Sequence, residues 1–290
     1  MPLISVGSVI DRAWHHYTHH FLELMSISAW LIVLAILNII SIWLSPDTLL
    51  FKTPSVGINP LQVIGLILYV ITFFVLAPIL SIWISNRLIK GVDQQLAGTS
   101  MNAKQLSAFG WKYFFSRLLV GALTGLVILT PFVLMLPGAG LAALAALTQS
   151  TALTLAGTAL LFFGVLLAGL GCIYVTIRVV FAPYALLLHN HHGRSALKAS
   201  ASVSKGRWWA AFWRVVIPSV VFYVGMVTIQ IFVLYILKTV ILAVAGLNAP
   251  LASELYNIGS STVFILLSAL IAPLLVTANV LAYRSLSEGR

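Results

Sequence analysis

Four histidines, His15, His16, His19 and His20, fall in the stretch AWHHYTHHF at residues 13 to 21, in a chain with seven histidines in all. His15 with His19, and His16 with His20, are spaced i, i+4, so on a helix each pair shares a face. Such a pair can clamp a metal ion at two points or carry a charge that titrates near neutrality. Both clamps would sit on one solvated face without acidic or cysteine partners. Three readings therefore stay open: a metal clamp, a pH-dependent surface charge, and the plain polar side of a helix. No metal or cofactor is expected.

Other chemistry is sparse. A hydrolase working in a membrane needs a recognisable constellation, such as His-Glu-x-x-His for zinc, a buried serine with its base, or paired carboxylates, and the sequence has none. All six acidic residues, Asp11, Glu23, Asp47, Asp93, Glu254 and Glu288, fall outside the apolar runs described below. The chain is therefore expected not to be an enzyme. Its single cysteine, Cys172, lies inside an apolar run, so no internal disulfide can form. No ionisable residue falls at mid-depth of these runs, and the nearest polar candidates are Asn38, Gln230 and Asn279. Hydrogen bonding between helices is their ordinary role, and Gln230 and Asn279 are the candidates for an intramembrane polar site.

The elements that must position these residues are set by composition. Of 290 residues, 61% are hydrophobic and 8% charged, against about 25% charged in soluble proteins. A helix needs roughly 20 apolar residues to cross the hydrocarbon core. Six such runs occur, at 26–45, 61–85, 116–136, 153–177, 215–237 and 260–282. Helices satisfy every backbone polar group in lipid, so the fold class is all-α: a polytopic helical membrane protein with six transmembrane helices in one domain, 1–290.

Lysine and arginine set the orientation, because cytoplasmic loops carry their excess. Threading six spans puts Arg12, Arg87, Lys90, Lys104, Lys112, Arg117, Arg178, Arg194, Lys198, Lys205, Arg207, Arg214, Arg284 and Arg290 on one side, and only Lys52 and Lys238 on the other. Both termini are expected in the cytoplasm, and the first segment, polar-faced and long, is expected to be retained and not cleaved as a signal. The net charge of +10 follows from this flanking pattern and points to anionic lipid; no nucleic acid partner is expected.

A stripe of Val6, Val9, Ile10, Ala13, Trp14, Tyr17 and Phe21 recurs at helical spacing before the first run. That is an amphipathic helix suited to the membrane interface, with Trp14 and Tyr17 at headgroup depth. Comparable segments precede the third and fifth runs, KQLSAFGWKYFFSRLL from Lys104 and ALKASASVSKGRWWAAFWRVV from Ala196. Each holds a tryptophan with an aromatic three residues on: Trp14 and Tyr17, Trp111 and Phe114, Trp209 and Phe212. The chain thus reads as a threefold repeat of cytoplasmic surface helix, span, span, with units 1–92, 93–192 and 193–290; the alternative is coincidence in an aromatic-rich chain. The lipid-interface candidates are Trp14, Tyr17, Phe21, Trp111, Phe114, Arg178, Arg207, Trp208, Trp209 and Phe212. A helix running unbroken from 153 to 188 would be about 54 Å long, too long for the bilayer. Arg178 is therefore expected at the cytoplasmic interface, with Val179 to Leu188 bending into an interfacial segment after Pro183; its fork also suits a lipid phosphate.

The opening SVGSVIDRAWHHYTHHFLELM and the segment ALKASASVSKGRWWAAFWRVV, with Ala196, Leu197, Ser200, Val203, Gly206, Trp208, Trp209 and Phe212, carry a resemblance. The chain resembles a bacterial family of six-span proteins of uncharacterised function related to the membrane domain attached to some glycerophosphoryl diester phosphodiesterases. The resemblance implies a fold and a membrane home, but no reaction, since that activity belongs to a separate soluble domain. The expectation is a non-enzymatic inner-membrane protein, a scaffold or envelope-maintenance factor whose partners are membrane lipids and other membrane proteins. The alternative is a transporter or lipid-handling protein for an uncharged or lipidic ligand, using the space between the units.

Overall fold

A computed structural model describes residues 4–44, 60–99, 102–246 and 248–287. Lys52, Asp47, Glu288, Arg290 and the last residue of the first apolar run lie outside the described residues. Regular structure among them is helical throughout, and the six apolar runs all fall on helices. In chain order these are α1 (Val6–His19), α2 (Phe21–Ser28), α3 (Leu31–Leu44), α4 (Pro60–Ile71), α5 (Ala77–Leu96), α6 (Ala103–Lys112), α7 (Phe114–Leu129), α8 (Leu136–Thr148), α9 (Thr151–Val179), α10 (Ala182–His189), α11 (Arg194–Val203), α12 (Trp208–Ala245) and α13 (Ala249–Ser287). A π-helical turn, Thr72–Leu76, joins α4 to α5, and a 3-10 segment, Thr130–Met135, joins α7 to α8. The first ends two residues before Pro78 and the second contains Pro131, and the missing N–H and bulky ring of a proline force the regular hydrogen-bond ladder to shift.

Five continuous helical stretches are long and apolar enough to cross a membrane: Pro60–Leu96, Phe114–Thr148, Thr151–His189, Trp208–Ala245 and Ala249–Ser287. The pair α2 and α3, bent by 42°, makes up to six. This is a multi-pass helical membrane protein. Its helices outrun the apolar segments, and Pro60–Leu96, at 37 residues, would measure about 55 Å. The extension past residue 85 carries Asn86, Arg87, Lys90 and Asp93 on α5, because nothing in NRLIKGVDQQL breaks a helix before Gly98, which has φ +70°.

The chain divides into two compact units, one built from 115–213 with 283–290 and the other from 2–114 with 214–282. In the first, α8 and the 3-10 segment pack against α9 at backbone distance. A Cβ on Gly138 would stand 2.5 Å from the Leu161 nitrogen, one on Gly157 2.8 Å from the Ala142 nitrogen, and one on Gly164 2.8 Å from the Leu134 oxygen. Lipid tails give no hydrophobic incentive for helices to associate, so such close van der Waals contact through small residues is what joins them. Gly157, Gly164 and Gly171 recur every seven residues and so keep to one side of α9.

The segment after Arg178 corrects the sequence expectation. The helix breaks at Val180 and Phe181, before Pro183, which sits in the first turn of α10, where its fixed φ is favourable. The break is held by a side chain: Ser200 Oγ donates to the Arg178 carbonyl at 2.7 Å and accepts from the Phe181 N–H at 3.1 Å. The segment that follows packs on protein within its own unit. Ala182, Tyr184, Ala185, Leu186 and Leu187 are buried, and the Tyr184 and Tyr283 rings stack at 5.9 Å within the same unit.

In the second unit the apolar stripe of α1 is turned inward. Val9 and Ala13 are fully buried, and the Tyr17 hydroxyl donates to the Leu270 carbonyl at 3.0 Å. Ser5 caps α1 by accepting from the Ser8 N–H at 3.2 Å, and Arg214 Nε holds the chain just before it through the Ile4 carbonyl at 2.8 Å. Over Val9, Ala13 and Tyr17 the stripe therefore rests on protein, while Trp14 and Phe21 stay exposed.

Candidate functional site

The side chains that could do chemistry gather at the end of α5, where α1, α2 and α6 bring their polar residues. The geometry starts with Gly110 on α6, where a Cβ would stand 2.8 Å from Trp83 Cδ1 and 3.0 Å from Arg87 Cγ. Its absence lets α6 sit against α5, and Asn86 Nδ2 fastens the contact by donating to the Gly110 carbonyl at 3.1 Å. Trp83 Nε1 also donates to the Ser107 carbonyl at 3.4 Å. The Trp83 ring, edge-on to Trp30 at 5.6 Å, then forms a platform for Arg87, whose Cζ lies 4.3 Å from the ring centre.

Arg87 is only 6% exposed, and its Nε and Nη1 are buried with no hydrogen-bond acceptor among the described residues. A neighbouring cation behaves differently: Lys90 pairs with Asp93 at 3.4 Å. Stacking on tryptophan recovers part of the cost of burying a cation, on the order of 2 kcal/mol when desolvated, while an isolated buried charge costs considerably more. Arg87 lines a cavity of about 210 Å³ with Glu23, Ser26, Gln94, Gln95 and Thr99.

A second cavity, about 530 Å³, is lined by Asp11, Arg12 and all four clustered histidines. The helix sorts them as the i, i+4 spacing predicts: His16 is buried, His20 half-buried, and His15 and His19 exposed. The His15 and His19 rings stack at 6.2 Å, and those of His16 and His20 lie 4.7 Å apart. Among the described residues no group of three or more His, Cys, Asp or Glu side chains is arranged to hold a metal ion. Instead His16 Nε2 bonds Gln95 Oε1 at 3.0 Å, and Gln95 Nε2 donates to Glu23 Oε2 at 2.6 Å. Gln95 accepts from His16, which places the proton on Nε2 of the neutral ring, and joins the two cavities into one polar chain.

Burial pushes the His16 pKa below its ordinary 6.5; the Gln95 hydrogen bond opposes this, and His20, His19 and His15 add to the lowering. A histidine with a depressed folded-state pKa contributes its full stability above about pH 6.5 and loses it as pH falls toward the folded value, where the unfolded chain binds the proton more readily. Thermal unfolding in detergent should therefore occur at lower temperature near pH 5.5 than near pH 7.5, and His16→Gln, which keeps a donor for Gln95, should narrow that difference. An unchanged difference would remove His16 as its source.

The sequence-predicted interface residues divide by exposure. All three spaced aromatic pairs are in ring contact: Trp14 with Tyr17 at 6.0 Å, Trp111 with Phe114 at 5.6 Å and Trp209 with Phe212 at 5.8 Å. In each the tryptophan is exposed, at 54%, 51% and 65%. Phe21 and Arg207 are exposed, and Phe114, Arg178, Trp208 and Phe212 are half-buried. Tyr17 alone is buried, so it anchors α1 through Leu270 and presents little to the surroundings. Arg178, in the other unit, repeats the aromatic platform: its Cζ lies 5.7 Å from the Tyr174 ring, which stacks on Trp208 at 5.8 Å. Arg178 Nη1 donates to the Tyr174 hydroxyl at 3.4 Å, and Trp208 Nε1 to the Tyr174 carbonyl at 3.1 Å. Gln230 and Asn279 are half-buried on α12 and α13, and neither lines the Arg87 cavity, the histidine cavity or the one formed by Lys238, Ile241 and Tyr256.

Sequence reasoning missed Arg87 as a site residue and counted it only toward topology. The available signal was Trp83 four residues before it, on the same helical face, the spacing that also separates Tyr174 from Arg178. Comparison of the chain with protein-family models, with curated proteins and with solved structures finds no match.

Proposed function

We propose that this chain is a non-catalytic, multi-pass protein of the bacterial inner membrane, with both termini in the cytoplasm, that works at the level of the lipid headgroups as a scaffold or envelope-maintenance factor. The observation that carries the reading is the threefold recurrence of an exposed tryptophan, Trp14, Trp111 and Trp209, each braced by an aromatic ring three residues on: Trp14 before α2 and α3, Trp111 before the stretch Phe114–Thr148, and Trp209 in the first turn of α12. Tryptophan is amphipathic and collects where one end of the ring meets hydrocarbon and the other meets water. Bracing reduces the rotamer freedom that anchoring would otherwise cost. The excess of lysine and arginine on one side of the threading supports the orientation and an affinity for anionic headgroups.

Parallax quenching tests it. Variants retaining only Trp14, Trp111 or Trp209, with the other tryptophans changed to phenylalanine, are reconstituted with lipids brominated at different depths. The expected result is strongest quenching by shallow bromines for all three. Strong deep quenching of any one of them, or no quenching, would remove that tryptophan from the headgroup level and with it the reading.

A further inference from the structure

We propose that the cavity between α2, α5 and α6 binds a zwitterionic headgroup in which a phosphate and an ammonium are joined by a short linker, with the phosphate on Arg87 and the ammonium near Glu23 and Gln94. The inference rests on the headgroup reading above and adds the ligand class. Three groups in one small cavity carry it. Arg87 is a permanently charged guanidinium, almost wholly buried, with Nε and Nη1 lacking an acceptor among the described residues, and an arginine cation is suited to a phosphate. Gln94 Oε1 is a buried acceptor without a donor among the described residues. Glu23 is a carboxylate at the mouth, its side chain 69% exposed, whose Oε2 takes the Gln95 amide.

Charge balance decides between ligand classes. A purely anionic ligand would satisfy Arg87 but would set its phosphate in the same cavity as the Glu23 carboxylate, whereas a cation alone would leave Arg87 unanswered. Arg87 and Glu23 form no ion pair with each other within 4 Å; Glu23 Oε2 lies 3.7 Å from His20 Nδ1, a pair only when that ring is protonated, so with His20 neutral both charges can meet a ligand that carries the complementary two. A volume of about 210 Å³ is below the range of about 300–1,000 Å³ usual for drug-sized ligands, which suits a headgroup and excludes acyl chains. The arginine is also held in place before anything binds: Trp83 stacks on it, and Asn86 and Gly110 fix the helix contact behind it. A pre-set donor spends little of its interaction energy on ordering.

The test is native mass spectrometry of the full chain in mild detergent, titrated with phosphatidylethanolamine or phosphatidylglycerol of identical acyl chains, and calorimetry with soluble glycerophosphoethanolamine. The chain should retain the ethanolamine lipid in preference to the glycerol lipid. Arg87→Gln should weaken that retention about tenfold or more, the loss of a charge-assisted hydrogen bond to phosphate. Glu23→Gln, at an exposed position that leaves folding intact, should abolish the preference while retaining the glycerol lipid. Heat release with the soluble headgroup would show that the cavity reads the headgroup alone; retention of the lipid only would show that the chains are needed for delivery, and either supports the site. If both lipids are retained equally, or Arg87→Gln and Glu23→Gln change nothing, the inference is overturned and the headgroup reading stands. If neither lipid nor soluble headgroup is retained, the inference is overturned, while the headgroup reading stands or falls on the quenching of Trp14, Trp111 and Trp209. Arg87→Gln must also unfold no earlier than the parent without lipid, since it removes a buried charge that lacks a partner; an earlier transition would show that Arg87 is structural, and would overturn its role as a waiting donor.

Discussion

Gly138→Leu and Gly164→Leu, made singly, are expected to lower unfolding stability in detergent by about 3 kcal/mol, the upper end of what overpacking costs. The reason for the upper end is the identity of the obstructing atoms. A Cβ on Gly138 would meet the Leu161 nitrogen at 2.5 Å, and one on Gly164 the Leu134 oxygen at 2.8 Å. These are backbone atoms of a packed helix, so no rotamer change can make room, and the two helices must move apart along their whole seam. Separation forfeits the dispersion contacts that are the main attraction between helices in lipid. Gly169 is the internal control, since it lies on the same α9 with nothing within 4 Å of its missing Cβ. Gly169→Leu should be neutral or slightly stabilising, because glycine within a helix costs about 0.5–1 kcal/mol relative to alanine. Equal losses at positions 164 and 169, read by steric trapping or thermal unfolding in one detergent, would show that helix propensity and not close packing governs the hairpin.

That seam illustrates how far the sequence could be read. The apolar runs were legible because the length a helix needs in lipid is a property of the run itself, and all six lie on helices of the structure. The aromatic pairs were legible as well, since residues three apart on a helix are neighbours whatever surrounds them, and all three pairs touch. What a helix face rests against is a different kind of fact. The stripe through Val9, Ala13 and Tyr17 has the same periodicity whether it lies on lipid or on protein, and the structure buries Tyr17 on Leu270. The glycines at 157, 164 and 171 carried a seven-residue signal, but their meaning depends on Ala142, Leu134 and Pro131 coming opposite them. Arg87 was hidden for the same reason: a basic residue after an apolar run reads as topology until the burial of its guanidinium and the lack of an acceptor are seen. Pro183 announced a break after residue 178 but could not give its position, because the hydroxyl that stabilises it comes from Ser200, on another helix.

Ser200 is for that reason the second site where a small change should have a large effect. Its side chain is fully buried and spans the gap between α9 and α10, donating to the Arg178 carbonyl and accepting from the Phe181 N–H. Those two groups belong to a helix interrupted at Val180 and Phe181, so the regular ladder does not supply them, and Phe181 is itself fully buried. Ser200→Ala removes one atom and strands a donor and an acceptor together, at about 1–3 kcal/mol for each group left unsatisfied. A total loss of about 2–4 kcal/mol in unfolding stability is expected, with faster hydrogen exchange at the Phe181 amide. Ser204→Ala is the matched control: Ser204 is equally buried on the same segment, but its hydroxyl bonds the Ala201 carbonyl within its own turn, so about 1 kcal/mol or less should be lost and Phe181 exchange should not change. If Ser200→Ala behaved like Ser204→Ala, the break would be stabilised by packing around Phe181 and Tyr283, whose rings lie 5.6 Å apart, and not by the hydroxyl. The distinction matters for Arg178, since its carbonyl is one of the two groups Ser200 holds and its guanidinium rests on Tyr174 one turn earlier. Loss of the hydroxyl should therefore loosen the Arg178 platform along with the helix break.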